Sequence, residues 1–161
     1  MPLSWSPMPA LKRILLVEDS ENDVTLILAA FAEAHLSDKV VVATDGQEAL
    51  DYLYRRGPHA ARPAENPSVV LLDLKLPRVD GLQVLSRMKS DPDLKLVPVV
   101  MFTSSREEVD LVRSYGLGAN AYVIKPVSFQ ELESALAGLR VFWTEVNEPP
   151  PGSAPAPKGG E

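Results

Sequence analysis

Five short apolar runs recur along the chain, and the stretches between them carry a different period. The runs are Arg13–Val17, Val40–Ala43, Val69–Leu72, Val97–Phe102 and Ala121–Ile124. Each is short enough for a strand and apolar on both faces, as buried strands of a parallel sheet are. Between them, Val24, Ile27, Leu28 and Phe31 recur at helical spacing. So do Ala49, Leu50 and Leu53, and then Val84, Leu85 and Met88. Glu107–Tyr115 predicts a fourth helix. A fifth runs from Ser128 to about Asn147, with Phe129, Leu132, Leu136, Leu139, Trp143 and Val146 on one stripe. Five strands alternating with five helices through short links predict an α/β fold: right-handed crossovers and one parallel sheet with helices on both faces.

Polar punctuation agrees with this division. Asp45-Gly46 and Asp80-Gly81 open helices, and Ser20 with Asp23, like Ser128 with Glu131, resembles a capping box. Pro58–Pro67 reads as a long surface loop. Residues 1–10 hold three prolines and no periodicity, which predicts a flexible arm. Residues 11–147 form the folded domain, and the Pro- and Gly-rich 148–161 predict a disordered tail. The net charge of −6, with no basic run, argues against a nucleic-acid partner. No cysteine is present, so thiolate chemistry is excluded. No apolar run approaches a membrane span and no signal peptide is visible, so the expected setting is cytoplasmic.

Polar residues stand directly after four of the strands: Glu18 and Asp19, then Asp73, then Thr103 and Ser104, then Lys125. In a parallel sheet these ends share one edge, where ligands bind. Each residue alone has an ordinary explanation as a cap, a turn residue or a solvated charge. Together they bring three carboxylates, a hydroxyl and an ammonium to one place. Close carboxylates repel at about 4 kcal/mol per pair near a surface. A divalent cation removes that cost, and an all-oxygen set without His or Cys suits Mg²⁺ better than zinc. A carboxylate beside such an ion can take a phosphoryl group as an aspartyl-phosphate. Residue types leave open which carboxylate is the nucleophile.

From Lys12 to about Leu139 the chain resembles a two-component response-regulator receiver domain. The resemblance is carried by I-L-L-V-E-D-S (14–20), A-T-D-G-Q-E-A-L (43–50), L-L-D-L-K-L-P-R-V-D-G (71–81), V-V-M-F-T-S-S (99–105), G-A-N-A-Y (118–122) and K-P (125–126). It implies a flavodoxin-like sheet of order 2-1-3-4-5. It implies that Asp73 is the phosphoacceptor and that Glu18, Asp19, Asp73 and the Lys75 backbone carbonyl bind Mg²⁺. Thr103 is then the switch hydroxyl, Tyr122 the switch aromatic that moves inward on phosphorylation, and Lys125 the phosphate contact, with a cis bond to Pro126. Glu18 stands where Asp is commoner in the family. The long Arg56–Pro67 loop and the F-W-T-E-V ending of the last helix resemble the single-domain regulators paired with phytochrome-type histidine kinases.

The implied function is a signalling switch, phosphorylated by a histidine kinase and acting through protein binding or phosphoryl relay. It is not an enzyme beyond its own phosphorylation and dephosphorylation. Two alternatives have specific obstacles. An aspartate-nucleophile phosphatase needs a second acid where Lys75 stands, and an inert scaffold would not keep every site position filled. A homodimer is also expected. The stripe of the last helix outruns the sheet, and Phe142, Trp143 and Val146 are the expected contacts.

Overall fold

The computed structural model describes residues 13–33 and 39–152. Strands β1 (Ile14–Val17), β2 (Val40–Ala43), β3 (Val69–Leu72), β4 (Val99–Thr103) and β5 (Ala121–Ile124) form one parallel sheet of order β2-β1-β3-β4-β5. Each is followed by a helix: α1 (Glu21–Glu33), α2 (Gly46–Tyr54), α3 (Gly81–Ser90), α4 (Glu108–Gly116) and α5 (Phe129–Val141). This is the flavodoxin-like arrangement expected from the sequence.

Alternation across the strands divides the core in two. Leu15, Val17, Val70, Leu72, Val99 and Met101 pack with Leu50 and Leu53 of α2 and Val84, Leu85 and Met88 of α3. Ile14, Leu16, Val69, Leu71, Val100 and Phe102 pack with Ile27 and Phe31 of α1 and Leu132 and Leu136 of α5. Each such side chain contributes about 1.5–3 kcal/mol by leaving water. β4 starts two residues later than its apolar run. Val97 N–H closes a turn on the Leu94 carbonyl at 3.0 Å, and Pro98 has no N–H to give the ladder.

The helix starts follow their caps. Asp80 Oδ1 accepts from Gln83 N–H, and Gln83 Oε1 accepts from Asp80 N–H, both at 3.0 Å. Ser128 Oγ accepts from Glu131 N–H at 3.1 Å. At α1 only half of the expected box forms. Ser20 Oγ accepts from Asp23 N–H, but Ser20 N–H donates to Glu18 Oε2 and not to Asp23.

The last helix is regular to Val141 and then widens into a π-helical turn at Phe142–Val146. Asn147 N–H donates to the Phe142 carbonyl at 2.6 Å. The stripe does not outrun the core at Trp143 as expected: Trp143 is half-buried against the α1–α5 side of the core. The wider turn changes the phase of the stripe after it, and Val146 is 65% exposed. Val141 and Phe142 also face out.

The loop before β3 contains a short 3-10 turn at Gly57–His59. Asn66 N–H donates to the Gly152 carbonyl at 2.9 Å, so residues 148–152 return to this loop. The arm at 1–10 and the tail beyond Gly152 lie outside the described residues.

Candidate functional site

Each strand-end residue is held by the next rung of the ladder. Glu18 N–H donates to the Ala43 carbonyl at 3.0 Å, Asp73 N–H to Val17 at 3.1 Å, and Lys125 N–H to Thr103 at 2.8 Å. One carboxylate oxygen from each of Glu18, Asp19 and Asp73 then lies within 4.8 Å of the others. Glu18 and Asp73 are buried; Asp19 is exposed. Asp73 Oδ1 accepts from Leu74 N–H at 2.8 Å, which fixes the carboxylate plane. The loop after it folds back so that Gly81 N–H reaches the Leu74 carbonyl at 2.8 Å. A Cβ at Gly81 would collide with the Asp73 carbonyl, so only glycine lets α3 start this close.

Lys125 enters from β5 and is 11% exposed. Its Nζ lies 2.5 Å from Glu18 Oε1, 3.0 Å from Asp23 Oδ2 and 3.4 Å from Asp73 Oδ2. Burial pushes the Glu18 carboxyl up to about 7, against the hydrogen bond from Lys125 and with the repulsion of Asp73. Burial works against the Lys125 charge as well, but Glu18, Asp73 and Asp23 together hold its pKa above the usual lysine value. The ammonium therefore keeps its proton, yet its single charge does not return Glu18 to the ordinary carboxylate range. Three acids meeting with oxygen ligands alone fit a hard divalent cation.

Thr103 is buried, and its Oγ1 accepts from Ser105 N–H at 3.2 Å. Tyr122 O–H donates to the Ser105 carbonyl at 3.1 Å, and Ser105 Oγ donates to Asp110 Oδ2 at 2.7 Å. The Tyr122 ring packs, half-buried, on the α2–α3 side of the core. Lys75 is exposed on the rim of a cleft of about 500 Å³ that Asp19, Asp80 and Asp110 also line. The expected cis bond between Lys125 and Pro126 is not found: no peptide bond among the described residues is cis. The Phe142–Val146 segment takes no part in this cluster.

Two members escaped the sequence reading. Asp23 was accounted for as half of a cap, yet it stands four residues before buried Ile27 and eight before buried Phe31, on the inward face of α1. Ser105 looked like one more turn hydroxyl and carried no signal of its own.

Comparison with known proteins agrees with this geometry. The chain is 37% identical over 134 residues to the response regulator Rcp1 of Synechocystis sp., covering 83% of this chain and 90% of that one. The crystal structure of the Mn²⁺-bound form of Rcp1 superposes with a TM-score of 0.79, covering 86% of this chain and 99% of the other. The phosphorylated cyanobacterial phytochrome response regulator RcpA is 40% identical with a TM-score of 0.81, covering 86% and 98%. The bacteriophytochrome response regulator AtBRR is 56% identical with a TM-score of 0.70, covering 87% and 100%. Receivers bind a divalent metal, take a phosphoryl group and signal by changing conformation. The response regulator receiver domain model matches residues 14–137, and the chain belongs to that family.

Proposed function

We propose that Asp73 is the phosphoacceptor of this receiver and that Glu18, Asp19, Asp73 and the Lys75 backbone carbonyl hold Mg²⁺ beside it. The observation that carries the reading is a buried carboxylate, Asp73, 3.4 Å from the half-buried Lys125 ammonium and within 4.8 Å of two further acids. An Asp73 oxygen attacks the phosphorus of a phosphohistidine on the kinase. The P–N bond breaks, and its electron pair stays with the histidine nitrogen. Mg²⁺, when bound, supplies positive charge to the phosphoryl oxygens. Lys125 adds a second positive charge, and Thr103 turns its hydroxyl from Ser105 toward the phosphate. Ser105 then loses a partner on the strand side, which carries the change to Tyr122 and α4. The same residues support self-catalysed phosphorylation from small donors and self-catalysed loss of the phosphoryl group.

The likeness to RcpA and AtBRR supports a phytochrome-type histidine kinase as the upstream partner. Action as a single-domain regulator in the cytoplasm, with no nucleic-acid or membrane partner, completes the reading. A homodimer is part of it as well. Exposed Phe142 and Val146, with exposed Val109, Val112 and Tyr115 on α4, support it, and Trp143 contributes only its outer edge. Sedimentation at tens of micromolar, with and without beryllofluoride, tests the dimer; a monomer in both rules it out.

The acceptor is tested with acetyl phosphate and Mg²⁺. Wild type takes up one phosphoryl group per chain, and Asp73→Asn takes up none while keeping its fold. Equal labelling of the variant overturns the assignment. Continuous turnover of the donor without a modified chain points to a hydrolase instead.

A further inference from the structure

We infer that Asp23 is a positioning residue for Lys125: from the first turn of α1 its carboxylate holds the ammonium over Asp73, and keeps it there when Glu18 is drawn toward a cation. The inference rests on Asp73 being the acceptor. An ammonium has three donors, and Lys125 meets three carboxylates, with Asp23 Oδ2 at 3.0 Å the second nearest. Asp23 is not among the three acids whose oxygens converge within 4.8 Å. It therefore touches the ammonium without belonging to the metal set. A divalent cation on Glu18, Asp19 and Asp73 weakens the pull of Glu18 on Lys125 and adds repulsion between the two cations. Asp23 is the partner left uncommitted.

The local structure frees Asp23 for this. Its backbone is fixed by Ser20 Oγ, and the return bond of the cap comes from Glu18, so the Asp23 side chain is not consumed by capping. Beside the pair lies a cavity of about 160 Å³, lined by Ile27, Pro126, Phe129 and Leu132. That cavity gives an untethered ammonium room to swing away from Asp73. The ordinary explanation is an acid that favours the helix dipole. Glu21, exposed in the same first turn, has that role too and separates the two accounts.

The experiment uses the full chain as wild type, Asp23→Asn, Asp23→Glu and Glu21→Gln. Without metal, exchange of the Lys125 ammonium protons is read by ¹⁵N NMR. With saturating Mg²⁺, labelling by acetyl phosphate is resolved into maximal rate and half-saturating donor concentration. A charge-assisted hydrogen bond of this kind predicts that Asp23→Asn speeds exchange about tenfold and lowers the maximal rate about tenfold. Donor half-saturation and Mg²⁺ affinity stay within about twofold, Asp23→Glu recovers part of both losses, and Glu21→Gln matches wild type. Unchanged exchange and rate in Asp23→Asn, an equal loss in Glu21→Gln, or faster labelling each overturn the inference. A wild type that takes no label overturns the reading of Asp73, and the tether is then judged on exchange alone.

Discussion

Two half-buried cations in this molecule are held in opposite ways. Lys125 sits among carboxylates, and its pKa is raised despite burial. Arg62, in the loop before β3, sits among backbone carbonyls. Its Nε donates to Tyr52 at 2.6 Å, Nη1 to Pro63 at 2.6 Å and Glu65 at 2.9 Å, and Nη2 to Leu53 at 3.2 Å. Its guanidinium lies over the Tyr52 ring at 4.2 Å. Burial pushes its pKa down, because carbonyl dipoles offset less of the lost hydration than full charges do. Lys89 repeats the Arg62 pattern, donating to the Lys95 and Val97 carbonyls and to Asn120 Oδ1, with its pKa lowered by burial. Neutral acceptors fix a cation in one place. Charged acceptors compete for it, and their balance shifts whenever one of them gains a new charge.

The contrast breaks most visibly at Lys125. Lys125→Met leaves Glu18 and Asp73 facing each other without a counter-ion, a loss of about 3–5 kcal/mol in EDTA. Mg²⁺ then restores more stability to the variant than it adds to wild type, since binding to the native state stabilises it. Denaturant titrations with and without Mg²⁺ measure this, and an equal gain in both proteins would sink the competition argument. Arg62→Met comes next, at about 2–3 kcal/mol for a guanidinium that satisfies four carbonyls. That loss is independent of Mg²⁺, and labelling of Asp73 stays within about twofold of wild type. A parallel fall in labelling rate would join the loop to the site. The smallest effect belongs to an exposed pair. Arg78, 60% exposed, bonds Asp45 at the start of α2. Burial opposes the Asp45 charge, but Glu48 N–H and the Arg78 guanidinium hold its carboxyl below the ordinary 3.8. Because the folded value is the lower one, the stabilisation is full above 3.8 and fades as pH falls below it. Asp45→Asn keeps the cap, so its deficit against wild type should vanish in thermal melts below that pH. A deficit unchanged at pH 2 would assign the effect to the cap instead.

Much of this was legible from period and punctuation. β2, β3 and β5 begin and end where their apolar runs do, although of the three only β3 is fully buried, because β2 and β5 are the half-buried edges of the sheet. β4 slipped by two residues because Pro98 is apolar to a pattern but mute to a ladder. The acids at the strand ends were legible because topology alone brings them together. Asp23 was not, since a cap signature explained it locally and only the side chain of Lys125, 102 residues away, shows its second use. Arg62 was hidden in a proline-rich loop whose order depends on carbonyls rather than on residue type. Trp143 was misjudged because it was placed past the end of the sheet, whereas it keeps the stripe of Leu136 and Leu139 and meets the same core; the π-turn turns only Val146 out of that stripe.

The sheet also divides what can vary from what cannot. The long loop, its Arg62 clamp and the Asn66–Gly152 bond all lie at the amino edge of the strands. Glu18, Asp73, Thr103 and Lys125 lie at the carboxyl edge. A four-residue strand keeps the two roughly 13 Å apart. Insertions before β3 therefore reshape one rim of the molecule without shifting the other. Lineages could remodel that rim, acquiring or discarding contacts, while inheriting the phosphoryl chemistry intact.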